Sequence, residues 1–279
     1  KLITLETGLS LKDSTYEIGR VINCARYSIK ICDYVNRDIT ENFLVDQDNK
    51  PELIVIKEPL ELALAITPFN HPMNQVAHKI FPALIAGTKV ILKPSEKTPL
   101  SAIKLVEILK DSGMPENFIS VVTTNNPSDL IVELLNKARF DMVTFTGGLK
   151  AGLDIKRALV ENNHLLTKYV PELGGSSSLI ICDDGDLDLG VKHILNGCFK
   201  NSGQRCTSIR RVIVDKKVIT AFKDKLIKQV KEINYGDPFN ANTDLGTVIS
   251  ENYAIEIQKR INNAIDLGAN LLFGNKRSG

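Results

Sequence analysis

The apolar positions of the chain change period repeatedly, and each change marks an element. Between residues 11 and 39, side chains such as Ile18, Val21, Ile22 and Ala25 recur at helical intervals, which predicts a mostly helical opening segment. Residues 41–52 are polar, with Asp46-Gln-Asp-Asn-Lys-Pro51 as a turn. Two apolar runs, Leu53-Ile-Val-Ile-Lys-Glu and Leu62-Ala-Leu-Ala-Ile66, read as strands. A regular alternation follows. A helix over 74–86 stops at Gly87, Lys89–Leu92 is a strand, a helix from Pro99 to Lys110 ends near Gly113, and 118–122 is a strand. Asn126-Pro-Ser128 opens a further helix with good capping residues, Asp141–Phe145 is a strand, and another helix runs on from Gly148. Strand and helix in this rhythm predict an α/β fold, a parallel sheet with helices on its faces. Beyond it come a strand at 176–182, a helix at 186–199, a strand at 211–214 and a basic amphipathic helix to about Ile233. A helix over Ala254–Leu267 ends at Gly268, and Leu271-Leu-Phe273 begins a last strand.

Composition narrows the classes. At 279 residues there is room for two packed domains. Apolar content of 43% with 24% charged residues suits a globular protein. A net charge of +2 argues against nucleic-acid binding through bulk positive charge. No apolar run reaches the length of a membrane span, and the stretch Lys1–Gly8 lacks the layout of a signal peptide. The five cysteines are odd in number and form no CxxC, so neither a disulfide framework nor a zinc knuckle is expected; a reducing, cytoplasmic setting is. The four histidines show no paired ligand spacing, so no metal site is expected.

Four places have chemical potential, and each reads two ways. Cys206 follows Ser202-Gly-Gln-Arg205, a polar turn that presents a thiol at an edge beside an arginine that favours the thiolate. An isolated cysteine is usually a small buried hydrophobe. Glu172, in Pro171-Glu-Leu-Gly-Gly175, is a carboxylate at a strand end whose glycines permit close backbone approach, which suits a general base or a plain exposed turn. Asn70, between prolines in Thr67-Pro-Phe-Asn-His-Pro72, is a rigid amide donor for an oxyanion or a turn former. Lys93-Pro-Ser-Glu96 follows an apolar strand, where charged groups bind ribose or phosphate or line a solvated loop.

Their order is what decides. Pro-Phe-Asn, Lys-Pro-Ser-Glu, Phe-Thr-Gly, Glu-Leu-Gly-Gly and Gly-Gln-Arg-Cys, in that succession, resemble the aldehyde dehydrogenase superfamily over essentially the whole chain from Glu6-Thr-Gly8 onward. The resemblance implies a Rossmann-type parallel-sheet cofactor domain over 1–172, carrying an oligomerisation hairpin arm at 41–59, and an incomplete α/β catalytic domain over 173–279. It makes Cys206 the nucleophile that forms a thiohemiacetal and then a thioester, Asn70 with the Cys206 backbone N–H the oxyanion donors, and Glu172 the base for hydrolysis. Thr67, Pro68, Phe69, Lys93, Ser95, Glu96, Thr146, Gly147, Gly148, Leu173 and Gly174 fall at cofactor-binding positions. Glu96 favours NAD over NADP by repelling a 2′-phosphate. The family's usual Ser-Thr-Glu after Thr-Gly is here Gly148-Leu-Lys150, which removes a hydroxyl from the pyrophosphate site; Lys150 offers a charge in exchange.

Arg205 before the cysteine resembles the phosphonoacetaldehyde and non-phosphorylating glyceraldehyde-3-phosphate dehydrogenases. With Arg20 and His71 it implies a pocket for an anionic phosphonate or phosphate aldehyde. The rival substrates are lactaldehyde and succinate semialdehyde. A rival of another class is a catalytically silent fragment that only binds nucleotide. Against the family pattern the chain stops before the Glu-x-Phe-Gly-Pro segment and lacks the C-terminal oligomerisation strand. The whole protein is expected to be a homodimer or tetramer.

Overall fold

A computed structural model describes residues 1–35 and 57–277. The turn at 46–51, the strand opening at Leu53 and all but the end of the 41–59 arm lie outside them. The chain divides into two compact units, Ile18–Pro68 with Pro72–Glu172, and Lys1–Glu17 with Phe69–His71 and Leu173–Gly279. Residues 1–17 and 69–71, grouped by sequence with the cofactor domain, therefore pack with the segment after 172.

The elements begin with α1 (Leu2–Thr7) and α2 (Leu11–Val35). The first unit is a parallel five-stranded sheet, β1 (Leu62–Ile66), β2 (Lys89–Lys93), β3 (Ile119–Val121), β4 (Met142–Thr146) and β5 (Lys168–Glu172), in the order β3-β2-β1-β4-β5. The crossovers carry α3 (Asn74–Ile85), α4 (Pro99–Asp111), α5 (Pro127–Lys137) and α6 (Leu149–Glu161). Central β1 is an unbroken apolar run, and Ala63, Leu64, Ala65 and Ile66 are all buried, as a strand covered on both faces requires. The strand β5 was visible in sequence only as the strand end at Glu172. It contains Pro171, which an edge position tolerates because the missing N–H breaks no inner ladder.

The second unit holds a two-stranded parallel sheet, β6 (Ser177–Ile181) and β7 (Ile209–Val214), with α7 (Leu187–Ile194), α8 (Ile219–Val230) and α9 (Glu251–Asp266). Ile181, Val191, Ile194 and Phe222 form its core. The helix expected to run to 199 changes to a π-helical turn over Leu195–Phe199. Two carbonyls there, Asn196 O and Gly197 O, accept from Arg205 instead of continuing the helical ladder alone. Helix α9 starts earlier than expected because Ser250 Oγ accepts from Tyr253 N at 3.3 Å and caps it.

The strand expected at Leu271–Phe273 is not formed. These residues are about half exposed and irregular, and no strand among the described residues offers them a ladder. Local apolarity without a partner leaves backbone groups better hydrated than paired. Gly8 explains why residues 1–17 join this unit. It ends α1 in the left-handed conformation (φ 73°), and a Cβ there would collide with the Thr247 side chain. Gly8 O accepts from Thr247 N at 2.8 Å, and Lys12 pairs with Asp244 at 2.7 Å. Among the described residues no helix is long and apolar enough to cross a membrane.

Candidate active site

In the second unit Cys206 lies exposed in a turn between a short 3-10 segment (Lys200–Gly203) and β7. The approach to it is strained. Asn201, Ser202 and Gly203 are consecutive left-handed residues with φ of 60°, 51° and 71°. Two of them are not glycine, and each such residue costs on the order of 1–3 kcal/mol, so the surroundings must hold them. They do. Asn201 is buried, its Nδ2 donates to Asn70 O at 2.9 Å, and its backbone N–H donates to Asp13 Oδ2 at 2.9 Å. Gln204 N donates to Asn201 O at 3.0 Å, and Gln204 Oε1 accepts from Ile249 N at 3.0 Å. Ser208 Oγ donates to Gly203 O at 2.9 Å and closes the turn.

Asn70 enters this network directly. Its Nδ2 donates to Gln204 O at 2.6 Å, two residues before the thiol. That bond fixes which end of the amide is nitrogen, since a flip would set two acceptors face to face. An amide nitrogen carries two N–H groups, so one orients the side chain and the other is left for a ligand. Gly175, the last residue of the Glu-Leu-Gly-Gly motif, approaches Cys206 O so closely that a Cβ would collide with it.

Arg205 is held by main-chain carbonyls of the preceding π-helical turn. Its Nη2 donates to Asn196 O at 2.6 Å and Gly197 O at 2.9 Å, while its buried Nε has no partner. His71 Nδ1 lies 3.3 Å from Oε2 of the buried Glu17. Arg20 belongs to the first unit and is exposed on α2. Burial raises the Asp13 carboxyl above its ordinary value, against the pull of the Asn201 N–H, Lys200, Arg205 and His71. Of the remaining expected residues in this unit, Phe69 packs edge-on to Tyr253 at 6.2 Å, and Leu173 and Gly174 lie in the irregular stretch before β6.

The first unit contributes an edge. Strand order reverses between β1 and β4, and ligands of open parallel sheets bind outside the carboxyl ends at such a point. The register pairs Ile66 with Phe145, so the next residues along, Thr67 and Thr146, stand at that reversal. Both hydroxyls are buried without a partner, as is that of Thr98, which precedes α4. Pro68 follows Thr67 in the same loop. Lys93, buried at the end of β2, reaches Glu96 Oε2 at 3.3 Å, and Ser95 Oγ accepts from Lys97 N at 3.2 Å. Burial alone would raise the Glu96 carboxyl, but its own backbone N–H, Lys93 and Lys97 together hold it below its ordinary value. Gly147 N donates to Glu172 O at 3.0 Å, and Gly148 precedes α6. Lys150, the suggested replacement charge, is held by Asp154 at 3.1 Å on an exposed turn of α6.

Sequence reasoning passed over Asp13, Asn201, Gln204, Thr98 and Lys79. Lys79, on α3, donates to Thr144 Oγ1 at 2.7 Å. Burial lowers its ammonium to about 8, with Glu172 acting to raise it again. A lysine among the buried Val76, Ala77 and Ile80 was the available signal.

The aldehyde dehydrogenase family model matches residues 1–279. The chain is 34% identical over its whole length to aspartate-semialdehyde dehydrogenase 1 of Pseudomonas canavaninivorans, covering 58% of that protein. Its fold is similar to that of the NADP-dependent glyceraldehyde-3-phosphate dehydrogenase of Bacillus halodurans complexed with NADP (TM-score 0.89, 36% identity, all of this chain and 57% of that one). It is also similar to betaine aldehyde dehydrogenase of Staphylococcus aureus in complex with NAD+ (TM-score 0.90, 33% identity, all of this chain and 54% of that one). The chain thus spans somewhat more than half the length of these relatives.

Proposed function

The chain belongs to the aldehyde dehydrogenase family, and on that premise we propose that it carries the thiol, oxyanion and hydrolytic groups of an NAD(P)-dependent aldehyde oxidation. The observation that carries the reading is the Asn70–Gln204 hydrogen bond, which holds an amide donor against the loop of Cys206. In this reading the Cys206 thiolate adds to the aldehyde carbon. The carbonyl oxygen becomes an oxyanion, stabilised by the second N–H of Asn70 and the Cys206 backbone N–H. Loss of hydride leaves a thioester on Cys206, and Glu172 takes a proton from the water that hydrolyses it to the acid. Lys79, whose ammonium burial lowers to about 8 while Glu172 acts to raise it, is the neighbouring group through which that carboxylate can exchange its proton.

The dinucleotide supplies the hydride acceptor when bound. The first unit fits it. Thr67, Thr98 and Thr146 offer unpartnered hydroxyls, Lys93 and Glu96 suit the ribose, and Gly147 and Gly148 leave the start of α6 open to a pyrophosphate. Glu96, held ionised, favours NAD.

The finer reading is an anionic aldehyde. The bonds of Arg205 go to neutral carbonyls, which orient the guanidinium without cancelling its charge, and its buried Nε–H has no partner. Glyceraldehyde-3-phosphate and an amino-acid semialdehyde appear among the substrates named for relatives, alongside betaine aldehyde. In the intact protein, reduction of NAD+ is followed with phosphonoacetaldehyde, glyceraldehyde-3-phosphate, succinate semialdehyde and lactaldehyde. Cys206→Ser is expected to lower turnover by at least ~10³-fold while dinucleotide binding persists. Retained turnover in that variant rejects the thiol as nucleophile. Arg205→Leu is expected to lower kcat/KM for the anionic aldehydes by roughly tenfold or more and to spare lactaldehyde. An equal loss on all four leaves Arg205 a strut of the loop and removes the anionic reading.

A further inference from the structure

Asp13 stands outside every motif that points to catalysis, yet it is bonded to the loop of the nucleophile. It lies on α2, 188 residues from Asn201, and its Oδ2 accepts from the Asn201 backbone N–H at 2.9 Å. Asn201 is the first of the three left-handed residues. Left-handed backbone in a non-glycine residue relaxes unless several bonds oppose it, and Asn201 has bonds on both sides. The Asp13 carboxylate holds its main chain, while its own side-chain amide spans Asn70 O at 2.9 Å and Gln204 O at 3.5 Å. Gln204 O is also the acceptor that orients the Asn70 amide at 2.6 Å. The chain of bonds runs from Asp13 to Asn201, from Asn201 to Asn70 and Gln204, and ends one residue before Arg205-Cys206.

The carboxylate is the stronger choice for the acceptor. An ionised acceptor makes a hydrogen bond roughly twice as strong as a neutral one. Asp13 is half-buried, and burial raises its carboxyl above its ordinary value while the Asn201 N–H, Lys200, Arg205 and His71, all of the same unit, pull toward the ionised form. Ser10 Oγ accepts from Asp13 N at 3.2 Å and fixes the start of α2 beneath it.

Building on the reading of Cys206 as nucleophile and Asn70 as oxyanion donor, we infer that Asp13 is a positioning residue. It locks the left-handed turn at Asn201 and thereby sets the orientation of the Asn70 amide relative to Cys206. It touches neither substrate nor cofactor. Its loss therefore slows formation of the tetrahedral adduct and leaves dinucleotide affinity unchanged, because a misplacement of a donor by about 1 Å costs on the order of 10²-fold.

The test uses the intact protein and p-nitrophenyl acetate, an activated ester that acylates a nucleophilic thiol without the dinucleotide. Reactive thiols are counted by the amplitude of the acylation burst, so that rates refer to competent sites only. Asp13→Ala is expected to lower the acylation burst rate per counted thiol by roughly 10- to 100-fold with the Kd for NAD+ unchanged. Asp13→Asn keeps a side-chain oxygen as acceptor and is expected to recover most of the rate. If Asp13→Ala does not fold, Asp13→Leu fills the same space without an acceptor and takes its place. An unchanged rate per thiol in Ala or Leu overturns the inference, as does an Asn variant as slow as Ala. The parent reading fails differently: Cys206→Ser in the Asp13 wild type would then still show the burst.

Discussion

The loop that carries Cys206 ties most of its polar groups to protein partners, with Asn70 Oδ1 and Arg205 Nε as exceptions, whereas the edge formed by the ends of β1, β2 and β4 buries three threonine hydroxyls that have none. In the loop, the Asn201 backbone N–H, the Asn201 amide, the Asn70 amide nitrogen, the Gln204 side chain and the Ser208 hydroxyl all have protein partners. Three left-handed residues are held in place by those bonds. At the sheet edge, Thr67, Thr98 and Thr146 bury hydroxyls that have none. A group that must meet a reacting carbon at one distance is worth fixing in advance, because every degree of freedom removed beforehand is absent from the barrier. A group that meets a ligand already rich in acceptors is better left with its hydrogen bond unmade. In the proposed function the loop is preorganised and the edge keeps hydrogen bonds for a ligand.

The strongest way to break it is at Asn70. Asn70→Ala keeps the main-chain carbonyl that Asn201 uses, so the loop retains that bond, and only the side-chain amide is lost. Turnover is expected to fall by ~10²–10³-fold, with little change in Tm, as when a single oxyanion donor is removed. A large fall in Tm with turnover per folded site preserved would make Asn70 a structural tie and dissolve the contrast.

The sheet and the motif residues on both sides of this contrast were legible in sequence, because those signals were local. The alternation of short apolar runs and helical stretches pointed to the parallel sheet, and the contiguous Gly-Gln-Arg-Cys segment marked Cys206 as the proposed nucleophile. What was not legible depends on partners far away in the chain. Nothing near Asp13 announces Asn201, 188 residues on, and nothing near Gly8 announces Thr247. The strand read at 271–273 failed for the converse reason, local propensity with no partner beside it. Arg205 was legible as a charge beside the thiol in sequence, but its partners were not, since they are two carbonyls of the π-helical turn.

Lys79 offers a smaller perturbation, on the sheet side. Burial lowers its ammonium from 10.5 to about 8, so between those values the folded chain holds fewer protons than the unfolded one. Stability from this group therefore rises with pH across the window, and below about 8 the buried charge is a cost. Lys79→Met is expected to raise Tm by about 2–4 °C at pH 7. That gain should shrink as pH climbs from about 8 toward 10.5, the window set by the shift. Thermal melts of both proteins across that range decide the matter. A Tm difference that stays constant with pH shows that the ammonium is not the source of the cost. Slower thioester hydrolysis in the same variant, with an unchanged acylation burst, places Lys79 beside Glu172 in the second half-reaction.

The smallest expected effect tests the edge itself. Thr67→Val and Thr146→Val replace buried, unpartnered hydroxyls with methyl groups of nearly the same shape. Leaving a buried donor unmade costs about 1–3 kcal/mol, so removing it should leave Tm unchanged or slightly higher. The same hydroxyls are the groups with hydrogen bonds still to give, and each is expected to contribute about 0.5–1.5 kcal/mol when a ligand takes it, or roughly 2- to 10-fold in the Kd for NAD+. Calorimetric titration of the intact protein with NAD+, beside a thermal melt, reads both quantities from one preparation. A weaker Kd with an unchanged or higher Tm means these hydroxyls are held in reserve for the dinucleotide. A lower Tm with an unchanged Kd means they serve the sheet, and the difference between loop and edge would then be one of packing alone.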